Sequence, residues 1–166
     1  AICRRLADDG NMVVAADLDV TSDNAMRWTR EQEADGYTFH TVATEVTDFD
    51  ACARAVQEVV NKAGPVDILV NCAGITRDGT FRKMDSAQWD AVLSTNLDSV
   101  FNMTRQVVDG MVERGYGRIV NISSVNGQKG QFGQTNYSAA KAGMHGFTMA
   151  LACLLYTSDA ADDGVG

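Results

Sequence analysis

The chain has 166 residues, 45% of them hydrophobic and 22% charged, the size and composition of one globular domain. Its formal net charge of −8 argues against a nucleic-acid or anionic-membrane surface, since either calls for basic patches. No apolar run reaches the length of a membrane span, no signal peptide is read at the start, and no metal-ligand spacing links the four cysteines, so no membrane, secretory or metal role is expected.

Residues 1–9 read as a helix that Gly10 stops. Met12-Val13-Val14-Ala15-Ala16 reads as a buried strand ending at Asp17. Ser22 or Asp23 can cap a polar helix to about Ala34, with Gly36 ending it. Residues 37–43 alternate bulky and small side chains like a strand. Asp48 or Asp50 caps a helix to Ala63, whose inward stripe is Ala55, Val56, Val59 and Val60. Gly64-Pro65 turns the chain into another buried strand, 66–70. A loop rich in glycine and charge covers 71–85, and Asp85 with Gln88 predicts a capping box for the next helix. That helix carries Trp89, Val92, Leu93, Leu97, Val100 and Phe101 at helical spacing and is predicted to reach Arg114, closed by Gly115. Residues 118–123 read as a further buried strand, and a last helix starts near Tyr137 and runs through Ala152. Helix and strand alternating with short connections imply an α/β fold: a doubly wound parallel sheet with crossover helices, in one domain. Cys3, Cys52, Cys72 and Cys153 read as small buried apolar residues in a reducing cytoplasm.

Tyr137 and Lys141 stand four residues apart in Tyr137-Ser138-Ala139-Ala140-Lys141, so on a helix they project from one face. A free phenol is a poor acid or base near neutrality, and an adjacent ammonium favours its anion. The pair therefore suits proton transfer at cellular pH. Ser124 follows the strand 118–123, at a carboxyl end where open α/β sheets place ligands. Asn71-Cys72-Ala73-Gly74 follows an earlier strand, and Asn96 sits inside a helix, where its amide competes for backbone hydrogen bonds. Asp17 ends the strand 12–16, a place suited to a ribose-binding acid; Asp19 could serve instead.

In order and spacing, Asn96, Ser124, Tyr137 and Lys141 resemble the Asn–Ser–Tyr–Lys tetrad of the short-chain dehydrogenase/reductase family. The resemblance implies a Rossmann-like fold that is incomplete at both ends. In that family the first helix follows a strand and a glycine-rich phosphate loop, and further strands follow the catalytic helix. A partial domain is expected over 1–152, then a non-native tail over 153–166 that looks like a translated sequencing adaptor. The implied cofactor is NAD(H) or NADP(H), held by Asp17, Glu45, Val46, Asn71, Cys72, Ala73, Gly74, Ile75, Tyr137 and Lys141. Glu45 and Cys72 depart from the residues usual in the family at their places. The resemblance also implies that Ser124 and Tyr137 donate hydrogen bonds to a ketone oxygen and that Tyr137 delivers a proton. Lys141 would grip the nicotinamide ribose, and Asn96 would connect it to water.

Three stretches narrow the resemblance: Gly74-Ile75-Thr76-Arg77-Asp78, Phe81-Arg82-Lys83-Met84 and the run 123–137. They look like those of family members that reduce acetoacetyl-CoA to (R)-3-hydroxybutyryl-CoA in polyhydroxybutyrate synthesis. The alternative within the family is reduction of 3-oxoacyl chains on acyl carrier protein in fatty-acid synthesis. The substrate contacts so implied are Asp78, Lys83, Ser124, Gln131, Phe132, Gln134 and Tyr137. Arg77, Arg82 and Lys83 could meet the phosphate of an acyl-CoA or acyl-carrier-protein partner, or be a solvated loop. Members commonly form homotetramers through the long helices from about Gln88 and Asn136. By itself the chain as given could instead be a non-catalytic fragment.

Overall fold

A computed structural model describes residues 1–156. The chain divides into two compact units, Ala1–Val66 and the part from Asp67 onward, each built on one parallel pair of four-residue strands.

The first unit runs α1 (Ile2–Asp8), β1 (Val14–Asp17), α2 (Asp23–Ala34), β2 (His40–Ala43) and α3 (Phe49–Ala63). β1 and β2 pair in parallel with Val14 opposite His40 and Asp17 opposite Ala43, so α2 is the crossover that such a pair requires. Of the two candidate caps for each helix the first one acts. Ser22 Oγ accepts from Ala25 N at 3.2 Å, and Asp48 Oδ1 accepts from Ala51 N at 2.9 Å. The strand predicted over 37–43 starts only at His40, because Tyr37 and Trp28 stack on Phe39 at 5.8 and 5.5 Å between ring centroids. Val42, Cys52 and Ala55 are buried, whereas Val60 of the expected inward stripe is exposed. β1 is not the buried strand predicted: Ala16 and Asp17 are exposed, since a two-stranded ribbon leaves an edge uncovered.

The second unit runs β3 (Ile68–Asn71), α4 (Ser86–Leu93), α5 (Ser99–Glu113), β4 (Arg118–Asn121), α6 (Asn126–Lys129) and α7 (Thr135–Tyr156). β3 and β4 are parallel, Ile68 opposite Arg118 and Asn71 opposite Asn121. The capping box forms as expected: Asp85 Oδ1 accepts from Gln88 N at 2.7 Å, and Gln88 Oε1 accepts from Asp85 N at 3.2 Å. The single helix predicted beyond it is divided by a π turn, Ser94–Asp98. β4 stops at Asn121 and exposes Arg118 and Val120, again short of the buried strand predicted. Leu69, Val92, Val100, Val107, Met111, Ala140 and Met144 are buried, so α4, α5 and α7 share one core with β3.

Both units are thus β-α-β pieces of a Rossmann-like α/β fold. Of the four cysteines Cys52 alone is buried; Cys3 is half-buried, and Cys72 and Cys153 are exposed, one on the loop after β3 and one on the outer side of α7. α7 continues through Tyr156, so the first residues of the expected tail are helical and the remainder lies outside the described residues. Among the described residues no helix is long and apolar enough to cross a membrane, and no cluster of His, Cys, Asp and Glu could hold a metal ion.

Candidate active site

Lys141 is 4% exposed, and its Nζ donates to the Ile122 carbonyl at 2.7 Å. The same atom stands 5.8 Å from the centroid of the Tyr137 ring, as the four-residue spacing on α7 requires. Burial strips water from the ammonium and holds its pKa below the ordinary lysine range, an effect that neighbouring Cys72 partly opposes.

Gly74 closes the same corner. A Cβ at that position would lie 2.6 Å from Asn96 Oδ1 and 3.7 Å from Lys141 Nζ, so any side chain would displace the asparagine. Asn96 is fully buried, and its Nδ2 donates to the Val92 and Ile75 carbonyls, each at 2.9 Å. The Val92 carbonyl is the one a regular helix assigns to the backbone N–H of Asn96, so this bond competes with the helix and accompanies the π turn. Asn96 Oδ1 is buried and accepts no hydrogen bond among the described residues, a costly state for a polar atom.

Ser124 lies beyond β4, in the turn that leads into α6. Its Oγ accepts from Asn126 N at 3.2 Å, and Ser123 Oγ donates to the Lys141 carbonyl at 3.0 Å. Gly127 lets this turn rest on α7: a Cβ there would come within 2.8 Å of the Lys141 carbonyl carbon and 2.9 Å of Ala142 N. Asn136, fully buried, fixes the start of α7. It donates to the Arg77 and Gln88 carbonyls at 3.1 and 3.2 Å and accepts from Tyr137 N at 2.8 Å. Gln134 joins two loops, its Nε2 donating to Asp78 Oδ2 at 2.9 Å while its Oε1 accepts from Asn126 Nδ2 at 2.9 Å. Beside them Gly79 N donates to the Gly133 carbonyl at 2.9 Å.

The fold therefore gathers Gly74, Ile75, Asn96, Tyr137 and Lys141 in one cluster, packs the turn that carries Ser124 against Lys141 through Ser123 and Gly127, and links Asp78 and Gln134 to that turn. Lys83, Gln131 and Phe132 are exposed on the adjoining loops, Phe132 by 87%. Cys72 and Ala73 are exposed, but Asn71 is buried, its Nδ2 donating to Asn121 Oδ1 at 2.8 Å and to Thr104 Oγ1 at 3.4 Å. Asn71 thus ties β3 to β4 and α5.

In the first unit, Asp17 borders a cavity of about 490 Å³ whose lining, among the described residues, includes Ala15, Val20, Ser22, Trp28 and Thr41 and no Lys or Arg. Its Oδ1 accepts from Asp19 N at 3.2 Å. Asp19 is used locally: the Thr21 hydroxyl and backbone N–H donate to its Oδ1 at 2.6 and 2.8 Å. Those bonds, the hydroxyl's first, hold its carboxyl below the usual aspartate range. Glu45 likewise accepts from Thr47 N and Oγ1 at 3.0 and 2.9 Å, and the Val46 carbonyl faces Cys52 Sγ at 3.6 Å. Both serve the turn into α3. Burial pushes the Cys52 thiol up, which marks it as a packing residue.

Sequence reasoning did not single out Asn126, Gly127 or Asn136. The available signal was the density of amide side chains between Ser124 and Tyr137: Asn126, Gln128, Gln131, Gln134 and Asn136.

A family model described as short chain dehydrogenase matches residues 1–159. The chain is 60% identical over 152 residues to an acetoacetyl-CoA reductase of Allochromatium vinosum, covering 92% of this chain and 62% of the relative. It is 58% identical over 157 residues to nodulation protein G of Azospirillum brasilense, covering 95% and 63%. It is 43% identical over 142 residues to a 3-oxoacyl-(acyl-carrier-protein) reductase of Thermotoga maritima, covering 86% and 57%. The chain spans about three fifths of the length of these relatives. A match that runs through nearly the whole sequence decides the membership: this chain belongs to the short-chain dehydrogenase family.

Proposed function

We propose that the protein carrying this chain reduces the 3-oxo group of an acyl thioester with a nicotinamide coenzyme. We infer acetoacetyl-CoA as substrate and (R)-3-hydroxybutyryl-CoA as product, in polyhydroxybutyrate synthesis. The observation that carries this reading is the meeting of Tyr137, buried Lys141, Asn96 and side-chain-free Gly74 at one corner, against which the turn of Ser123, Ser124 and Gly127 packs. The Allochromatium vinosum relative, named as an acetoacetyl-CoA reductase at 60% identity, supports the substrate.

The residues present fit a nicotinamide coenzyme. Exposed Cys72, Ala73 and Gly74 offer open backbone next to a buried ammonium and to the unsatisfied Asn96 Oδ1. Cys72, Ala73, Gly74, Ile75 and Lys141 would hold it, with Tyr137 beside them, and Asp17 would take the adenosine ribose. When bound, the reduced coenzyme supplies the hydride. Ser124 Oγ has one lone pair occupied by Asn126 N–H, so its proton is left to donate to the substrate oxygen as negative charge develops there. Tyr137 donates a second hydrogen bond to the same oxygen and transfers its proton. The Lys141 ammonium then stabilises the phenolate left behind, and Asn96 orders the approach of water to that ammonium. Arg77, Arg82 and Lys83 lie on the loop that would meet the phosphate of the acyl carrier. A cytoplasmic homotetramer is part of the same reading, supported by the exposed apolar side chains Phe101 and Val112 on α5 and Met149 on α7.

The test uses a completed protein, in which segments of the Allochromatium vinosum relative are joined before residue 1 and after Ala152, replacing residues 153–166. Acetoacetyl-CoA should be reduced with a kcat/KM at least about tenfold above that for longer 3-oxoacyl chains on acyl carrier protein. The opposite order would transfer the assignment to fatty-acid synthesis, and turnover of neither would refute it. Asp17, exposed and bordering a cavity lined by no Lys or Arg among the described residues, favours NADH over NADPH by repelling the extra phosphate. NADH is therefore expected to give the higher kcat/KM, and Asp17→Asn to narrow the gap through a lower KM for NADPH. A native preference for NADPH would contradict this role of Asp17.

A further inference from the structure

The geometry points to Asn126 as a positioning residue that couples the acyl-site loops to Ser124, an inference that rests on the reading of Ser124 as a substrate hydrogen-bond donor. Three hydrogen bonds form one directed chain: Gln134 Nε2 to Asp78 Oδ2, Asn126 Nδ2 to Gln134 Oε1, and Asn126 N to Ser124 Oγ. Its direction is imposed by chemistry. A carboxylate only accepts, so Asp78 turns the amide nitrogen of Gln134 towards itself. The Gln134 oxygen must then face Asn126, which answers with its own amide N–H. That grip fixes the first residue of α6, whose backbone N–H occupies one lone pair of Ser124 Oγ and aims the hydroxyl proton away from the turn. The Gly79–Gly133 backbone bond keeps the two loops adjacent, so a change in either loop reaches Ser124 through Asn126.

The directed chain can be reversed, and this provides a test that simple loss of packing does not mimic. In Asn126→Asp the new carboxylate only accepts, so Gln134 must rotate and set its oxygen against Asp78. Combining Asn126→Asp with Asp78→Asn restores a complete chain running the other way, with the net charge unchanged. In the completed protein, Asn126→Asp alone is expected to lower kcat for acetoacetyl-CoA by about tenfold, with KM for NADH unchanged. Measured against Asp78→Asn as its reference, the same change should cost less than about twofold. An equal loss in both backgrounds, or a loss falling on the KM for NADH, overturns the inference. Absence of acetoacetyl-CoA turnover in the parent completed protein would refute the proposed function instead. The coupling is then read from thermal unfolding: the midpoint lowered by Asn126→Asp recovers in the double variant, and failure to recover overturns the inference.

Discussion

Tyr137→Phe in the completed protein is expected to lower kcat for acetoacetyl-CoA by about 10²-fold or more, while the affinity for NADH stays within about a factor of two. The substitution removes one oxygen and the proton it carries. It leaves the ring, the Lys141 ammonium 5.8 Å from its centroid, and the Asn136 bond, which reaches Tyr137 through its backbone N–H. Ser124 still offers its hydrogen bond, so substrate is held and polarised but receives no proton from the phenol. Initial rates together with fluorescence titration of NADH separate the two effects. Near-native turnover in the phenylalanine variant would remove Tyr137 from the reaction.

Lys141→Met should lose as much turnover, about 10²-fold, and in contrast to Tyr137→Phe should also weaken NADH binding, since Lys141 is assigned to the coenzyme ribose. Its effect on stability is expected to be small. Methionine fills a similar volume, and loss of the bond to the Ile122 carbonyl costs about 1 kcal/mol. Removal of a desolvated ammonium offsets that loss. The pH dependence follows from the lowered pKa of Lys141. Between that value and the ordinary 10.5, the unfolded chain still holds a proton that the folded chain has shed. The unfolded state thus binds more protons in this window, and stability rises with pH through it. The raised thiol of Cys52 and phenol of Tyr37 act in the opposite sense in both proteins, so the difference in urea midpoint, native minus Lys141→Met, should grow with pH across this window. A methionine variant with native turnover, or one that unfolds far more easily, would show that Lys141 is structural.

Much of this was legible in the sequence where one local rule dominated. The Tyr137–Lys141 spacing on a helix left little freedom, and the Asp85–Gln88 box formed as read. Other features depend on partners remote in sequence. Asn96 was legible as an ill-fitting helix residue, but its bond to the Ile75 carbonyl, 21 positions away, was not. Asp78 and Gln134 were readable as loop residues near the site; their mutual hydrogen bond, across 56 positions, was not. The buried strands expected at 12–16 and 118–123 proved half exposed, because an apolar run shows what a strand could bury and not what covers it. Glu45, read as a coenzyme contact, also accepts hydrogen bonds from Thr47 in its own turn, a local bond that the sequence reading did not include.

The most direct measurement is a crystal structure of the completed protein with oxidised coenzyme and acetoacetyl-CoA. The account places the 3-oxo oxygen within about 3.2 Å of both Ser124 Oγ and Tyr137 Oη, with Lys141 Nζ still beside the phenol. An oxygen bound elsewhere, or the two hydroxyls turned away from one another, would contradict it.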